Sequence, residues 1–443
     1  MKTFAMGGVH PEENKISTQA VIEDMPLPKQ MIVLMNQHLG APATPIVAKG
    51  DKVKVGQLIG RAEVPMCANV HSPVSGTVLK IDICKDPFGV AKPAVYINVE
   101  GDEWEESIDR SADIKRTCDL TPAEVVAKLK EMGIVGLGGA TFPAHIKYSI
   151  PQGKKAEYLI INAVECEPYL TSDHRVMLEH AEEVCIGIEQ LRKALGVPCA
   201  YIGIEANKPD CIARMREVAA TFEGIVVEPL KVRYPQGAEK QLINAITGRR
   251  VPSGKLPIDV GCVVSNVGTT FAVYEALQKN KPLIENILTV TGKCLPSQHN
   301  YKVRIGTTYN DIIKHAIGEL PEGTGKVISG GPMMGKAVSN LDAPTVKGAS
   351  SVLVMDEKES RRAPETNCIR CGKCIGACPM GLEPYLFSAM VRNGRFEDAG
   401  QHNILDCIEC GCCFFSCPAN KPLLDEIRLG KNKYRGILAA RKK

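Results

Sequence analysis

Two cysteine runs constrain this chain more than any other feature. They are Cys368-x2-Cys371-x2-Cys374-x3-Cys378-Pro379 and Cys407-x2-Cys410-x2-Cys413-x3-Cys417-Pro418. Thiolates at every third position of a tight loop cap three irons of one iron–sulfide cube, and the loop amides point at its sulfides. The proline after the fourth cysteine turns the chain away and offers no competing N–H. Zinc takes one tetrahedron, usually from two separated C-x2-C hooks, so it does not account for the full run written twice. Nine of the 18 cysteines fall between Cys368 and Cys417. In a small secreted chain that density reads as disulfides. In a chain of 443 residues whose N-terminus has no apolar signal segment, metal ligation in a reducing compartment fits better.

Both runs resemble the bacterial ferredoxin pattern, whose fourth cysteine ligates the other cluster. That resemblance assigns Cys368, Cys371, Cys374 and Cys417 to one [4Fe–4S] cluster, and Cys407, Cys410, Cys413 and Cys378 to a second. Cys412 reads as a small buried neighbour. Between the runs, Leu386, Met390, Phe396 and Ala399 recur at helical spacing and predict a helical hairpin.

The rest of the chain is long enough for further domains. Its net charge of +4 excludes a dedicated nucleic-acid binder, so no nucleic-acid partner is expected. No stretch reaches the ~18 uninterrupted apolar residues that a bilayer span needs. Thr121-Pro122-Ala123-Glu124 reads as a capping box opening a helix that stops at Gly133. There follows Gly136-Leu-Gly138-Gly139-Ala-Thr141-Phe142-Pro143-Ala-His145-Ile-Lys147. Glycines let backbone amides approach a phosphate or flavin, and Lys147 adds positive charge. A glycine-rich loop is equally a plain turn between helices. This one is no Rossmann fingerprint, because the third glycine is missing and a helix, not a strand, precedes it.

The loop resembles the flavin-binding loop of the complex I flavoprotein. Four more segments match that family in order: Tyr158–Glu167, Tyr234–Glu239, Gly248–Pro257 and Ser265–Thr269. The chain departs from the family at Leu137 (an Arg there), Thr141 (a Gly), Val164 (an Asp), Ala238 (a Glu) and Gly268 (a Glu). The resemblance implies non-covalent FMN on Gly136, Gly138 and Gly139. Phe142, Lys147, Asn162, Tyr234, Gly237, Glu239, Asn266 and Thr269 would surround it, and Glu165 and Glu167 would line a nicotinamide pocket for NAD(H).

Upstream, Lys49–Gln57 and His71–Val78 alternate in short runs split by Gly and Pro, as β-strands with tight turns do. They resemble the barrel-sandwich of biotinyl and lipoyl carriers. The tip where those carriers modify a lysine is Met66-Cys67-Ala68-Asn69 here, without a lysine, which suggests docking or structure rather than a swinging arm. Cys67 reads as a half-buried structural thiol. Downstream of the flavin-type segment, Leu288–Gly292, a helix from Thr307 to Ile317 and the Gly330–Gly335 turn resemble a β-grasp (SLBB-like) module.

Gly7-Gly8-Val9-His10-Pro11, the variant glycine loop, the stretch Asn162–Arg175 and the cysteine runs together resemble the C subunits of Rnf ion-translocating oxidoreductase complexes over nearly the whole chain. The fold class implied is multi-domain α/β: a barrel-sandwich over 1–110, an FMN/NADH α/β domain over 118–280, the β-grasp module over 281–350, a two-cluster ferredoxin domain over 355–430 and a basic tail over 431–443. The function implied is electron transfer between NAD(H), FMN and two [4Fe–4S] clusters in a ferredoxin:NAD oxidoreductase. Its partners would be the Rnf membrane subunits and the ferredoxin-type iron–sulfur subunit. Its place would be peripheral, on the cytoplasmic face of the bacterial inner membrane. Three alternatives share parts of the pattern: a microcompartment corrinoid reductase, against which the N-terminal barrel-sandwich argues; a soluble NADH dehydrogenase or hydrogenase flavoprotein subunit, against which the second cysteine run argues, since complex I-type subunits carry one C-terminal cluster; and a non-catalytic iron–sulfur adaptor.

Overall fold

The computed structural model describes residues 1–441. Short alternating strands build the first domain. One sheet pairs Gln30–Leu34, Ala91–Val99, Gly76–Lys85 and Lys52–Val53, and a second pairs Thr44–Pro45, Leu58–Arg61 and Val70–His71. Register places Met31 opposite Ile97 and Val33 opposite Val95. These residues, with Ile59 and Val70, fill the space between the sheets, as period-2 alternation requires. Cys67 belongs to this core and is fully buried, not half-buried as expected.

The sandwich strands begin only at Gln30. Residues ahead of them form a strap over later modules. Lys2 bridges Leu230, Val9 pairs with Tyr234, Gly8 N–H donates to Ala377 O at 2.9 Å, and Ile22–Asp24 adds a parallel edge strand beside His299–Arg304.

The apolar run Leu159-Ile160-Ile161 is buried on both faces, which suits a central parallel strand. It lies in a parallel sheet ordered Ile225–Leu230, Ala200–Glu205, Tyr158–Asn162, Cys262–Asn266. Helices Pro122–Glu131, Ala181–Leu195, Pro209–Ala219 and Val267–Gln278 contribute to the core on one face, and Glu239–Thr247 to the core on the other. The Thr121–Glu124 capping box is present, with Pro122 opening the helix.

A six-stranded mixed sheet follows, in the order Ile22–Asp24, His299–Arg304, Glu285–Thr291, Ser351–Asp356, Thr324–Ser329, Lys336–Ala337. Residues Tyr309, Ile312 and Ile313 of helix Tyr309–Ile317 pack on it. A boundary at residue 350 cuts this sheet, because Ser351–Asp356 is an inner strand, hydrogen-bonded to Glu285–Thr291 and to Thr324–Ser329. Both cysteine runs lie in the helical module that follows. Its core joins Phe387, Met390 and Val391 to Ala399, Ile404, Leu423 and Ile427, so the helical hairpin between the runs is present.

The basic stretch from 431 is helix, not tail: Leu423–Ala440 is continuous. Lys431 is buried there, donating to Cys407 O at 2.7 Å and Glu409 Oε1 at 2.6 Å. Lys442 and Lys443 lie outside the described residues. No helix among the described residues is long and apolar enough to cross a membrane.

Candidate redox site

In the parallel sheet the strand order reverses between Tyr158–Asn162 and Cys262–Asn266. Ligands of open α/β sheets bind at such a switch point, outside the carboxyl ends of the strands. The two strands end at Asn162 and Asn266, both expected site residues. Asn266 caps helix Val267–Gln278: its Oδ1 accepts from Gly268 N at 2.8 Å and Thr269 N at 3.3 Å, and its Nδ2 donates to Asp173 Oδ2 at 2.7 Å.

The glycine loop closes over this corner. Gly136 N donates to Phe142 O and Leu137 N to Thr269 Oγ1, each at 2.8 Å. Gly138 has φ +72° and packs so close that a Cβ would lie 3.0 Å from Asn266 Nδ2, while Gly139 faces open space. Among the described residues, the amides of Gly138 through Phe142 donate to no protein acceptor. Free amides beside a helix N-terminus are the donor set that takes an anionic phosphate, so the residues present fit a flavin phosphate. Thr141, at the position of the complex I glycine, keeps the left-handed conformation at φ +52°.

The other expected residues fall into groups. Glu165, at φ +45°, turns its carboxylate to the start of helix Ser172–Glu179, accepting from Asp173 N at 2.8 Å and His174 N at 3.3 Å. Asn162 Nδ2 donates to Gly237 O at 2.7 Å. Lys147 Nζ donates to Val264 O at 2.9 Å and pairs with Glu239 at 3.3 Å, so two of its three N–H groups serve the sheet and the helix over it rather than a phosphate.

Glu167 reaches from the flavin-type domain to the mixed-sheet module. Its carboxylate accepts from Met333 N at 3.1 Å and Met334 N at 2.8 Å, and lies 3.2 Å from Tyr234 Oη. Burial pushes it up to about 7. Tyr234 also donates to Cys410 O at 2.8 Å. One buried hydroxyl thus ties the carboxylate to a cysteine loop.

Sequence reasoning missed three supporting groups. Burial and the nearby Glu165 push Asp173 up to about 7. Lys15 donates its three N–H groups to Glu165 O at 2.8 Å, Glu167 O at 2.8 Å and Leu170 O at 2.6 Å, and burial lowers it to about 8. Lys208 Nζ donates to Val164 O at 2.7 Å. Asp173 stood within the matched Asn162–Arg175 stretch, whereas nothing around Lys15 or Lys208 marked either. His145, expected near the loop, meets Pro65 O at 3.1 Å in the barrel-sandwich.

The cysteine runs fold alike. Arg370 and Gly372 in the first, and Glu409 and Gly411 in the second, hold matching left-handed positions. Cys378, Cys407, Cys410 and Cys413 line one cavity with Pro379, Leu382, Phe387 and Ile427. Burial, with the neighbouring Cys410 and Cys378 adding to it, pushes the Cys407 thiol up to about 12, and a metal's charge would favour its thiolate. The donor set fits one cluster with exchanged ligation. Cys412 is fully buried alongside. Cys368 and Cys371 are exposed, and Cys374 packs in the same core as Cys417.

A flavin-type α/β domain hydrogen-bonded to a cysteine module defines the class: a component of a redox enzyme. Comparison with known proteins narrows it. Residues 129–275 match the Nuo51 FMN-binding domain, and residues 3–102 match the RnfC barrel sandwich hybrid domain. The chain is 45% identical over 98% of its length (94% of the relative's) to the C subunit of the proton-translocating ferredoxin:NAD(+) oxidoreductase complex of Clostridium ljungdahlii. It is 41% identical over 99% (98% of the relative's) to the Na(+)-translocating counterpart of Acetobacterium woodii. With the C subunit of the ion-translocating oxidoreductase complex of Rhodobacter capsulatus it shares 39% over 98% of this chain and 84% of that one. An NAD+-reducing [NiFe]-hydrogenase structure shares the fold, with TM-score 0.50 at 16% identity over 70% of this chain and 61% of that one. The chain belongs to the RnfC family, the C subunits of ion-translocating oxidoreductase complexes.

Proposed function

We propose that this chain is the NAD(H)-facing electron carrier of a ferredoxin:NAD oxidoreductase complex, with FMN on the Gly136–Gly139 loop and two [4Fe–4S] clusters on the cysteine runs. It would sit peripherally on the cytoplasmic face of the membrane, against the complex's membrane subunits and its ferredoxin-type iron–sulfur subunit. The mixed sheet would be the β-grasp module. The observation that carries the reading is a chain of contacts from the glycine loop to the cysteine cavity: Asn266 under Gly138 holds Asp173, Asp173 N donates to Glu165, Lys15 joins the carbonyls of Glu165 and Glu167, and Glu167 meets Tyr234, which holds Cys410 O.

FMN, when bound, supplies the exchange between two-electron hydride chemistry and one-electron carriers. The protein's share is positioning. The amides of Gly138 through Phe142 would receive the phosphate, and Asn266 fixes the loop from below. Lys15 and Lys208 hold the carbonyls of the Val164–Leu170 segment, which sets Glu165 and Glu167. Glu167, poised near neutrality, holds or releases a proton at its carboxylate as local charge changes. Tyr234 fixes the loop of the buried cysteine cavity, and the exposed Cys368 and Cys371 place the first run where a partner can reach it.

The test is anaerobic reconstitution with iron, sulfide and FMN, then titration with NADH while flavin absorbance is followed. Stoichiometric bleaching, lost in Glu167→Gln, is expected. Eight bound irons with no flavin retained and no bleaching would instead make the chain an iron–sulfur adaptor.

A further inference from the structure

The barrel-sandwich has no share in the chemistry proposed above, yet its hairpin tip packs against both flanks of the glycine loop. Asn69 Nδ2 donates to Glu131 O at 3.1 Å, at the end of the helix that leads into the loop. A Cβ on Gly133 would collide with Asn69 O. Pro65 O meets His145 Nε2 just past the loop, and Leu39 N donates to Thr141 O at 3.3 Å within it. The tip therefore touches the loop's entry and its exit.

Lys347, from the mixed sheet module, closes this junction. It is 1% exposed, and its Nζ donates to Asn69 O at 2.8 Å and Gly133 O at 2.6 Å. No carboxylate pairs with it among the described residues. A buried ammonium held only by carbonyls is a costly arrangement, and here it joins three modules at one point. The next residue presses on the far end of the loop: a Cβ on Gly348 would collide with Thr141 Cγ2. Lys347 and Gly348 thus bracket the loop from Gly133 to Thr141.

We infer that the barrel-sandwich tip and the Val346–Gly348 turn form a clamp that sets the shape of the flavin loop, with Lys347 as its positioning residue. This rests on the reading that the loop holds FMN. Where carrier domains display a modified lysine, the tip of this chain is docked instead, and a lysine from another module enters it.

Two perturbations test the clamp from opposite ends. Lys347→Met keeps the side chain's length and removes its N–H groups. In the protein lacking flavin, faster exchange of the Gly136 and Leu137 amides, the two loop donors that are hydrogen-bonded, is expected. After reconstitution, FMN should bind at least tenfold more weakly with an altered visible circular dichroism, while iron content and melting temperature stay near the parent's. Gly348→Ala should weaken FMN in the same way. Adding Thr141→Gly, which removes the methyl that the new Cβ meets, should restore binding. If parent and both single variants bind FMN equally tightly with the same spectrum, the clamp is wrong and the flavin reading stands. The clamp is also wrong if Lys347→Met loses flavin, iron and melting temperature together and Thr141→Gly rescues nothing. If the parent itself binds no FMN, the flavin reading has failed first.

Discussion

Tyr234→Phe is the sharpest perturbation of the link between the two halves of the site. Tyr234 is 2% exposed, and its hydroxyl donates to Cys410 O at 2.8 Å and lies 3.2 Å from Glu167. Removing it leaves Glu167 its two amide donors, but leaves Cys410 O buried without that partner. A buried acceptor stripped of its donor costs ~1–3 kcal/mol. Taking ~2 kcal/mol, local opening of the cavity formed by Cys378, Cys407, Cys410 and Cys413 becomes about 30-fold more frequent. Iron release to a chelator reads this directly. The parent should lose iron in two phases, fast from the exposed run and slow from the buried one. Tyr234→Phe should speed the slow phase about 30-fold, within a range of about 5 to 150, and leave the fast phase alone. An unchanged slow phase, or equal acceleration of both, would show that Tyr234 does not brace the cluster loop.

Other perturbations follow from the same contacts. Gly411→Ala should lose the buried cluster, because the position has φ +79° and a Cβ would sit 2.9 Å from Met333 O. Gly372→Ala, at φ +72° with nothing nearby, should cost only the backbone strain of ~1–2 kcal/mol, and iron content per chain separates the two. Glu167 titrates near 7 in the fold against an ordinary 4.5, so the folded chain binds the extra proton between those values. Its contribution to stability is full below about 4.5 and declines as pH rises to about 7, by ~3 kcal/mol. Urea midpoints measured from pH 5.5 to 7.5 should fall less steeply in Glu167→Gln. Leu137→Arg and Gly268→Glu restore the complex I residues at neighbouring positions, a Gly268 Cβ lying 3.7 Å from Leu137 Cδ1 and 3.6 Å from Asp173 Oδ1. Each alone adds a charge to an enclosed site and should destabilise by ~3 kcal/mol or more. Together they should cost clearly less than their sum in a double-mutant cycle.

What the sequence disclosed were features written locally. The capping box at Thr121, the short strands of the His71–Val78 stretch, the helix ending at Ile317 and the helical hairpin between the cysteine runs each depend on a few adjacent residues, and each is where the pattern put it. The misjudged features depend on distant partners. Lys431 reads as tail charge until Glu409 and Cys407 O are seen beside it. Lys147 reads as unengaged positive charge until Val264 O and Glu239 are seen to take two of its N–H groups. Residues before Gln30 look like the start of the sandwich, yet they form a strap that brings Lys15 to three carbonyls at Glu165, Glu167 and Leu170, far along the chain. No local periodicity encodes such a contact, because the strap makes no element of its own beyond one three-residue strand.

The two cysteine runs show the same limit in another way. Their spacing is identical and their left-handed positions match, so nothing in either run ranks one against the other. Their surroundings differ sharply. Around the second run stand Tyr234, Met333 O and the buried Lys431. The first run carries exposed Cys368 and Cys371, with Ile369 68% exposed between them. Within the function proposed here, this asymmetry orders the carriers. A cluster held against the flavin-type domain would exchange electrons inside the chain. A cluster on the surface run would be the one a neighbouring protein of the complex meets, since electrons leave a protein from the carrier nearest its boundary. The chain carries two alike loops, and the packing of the other modules against one of them would give the pair a direction.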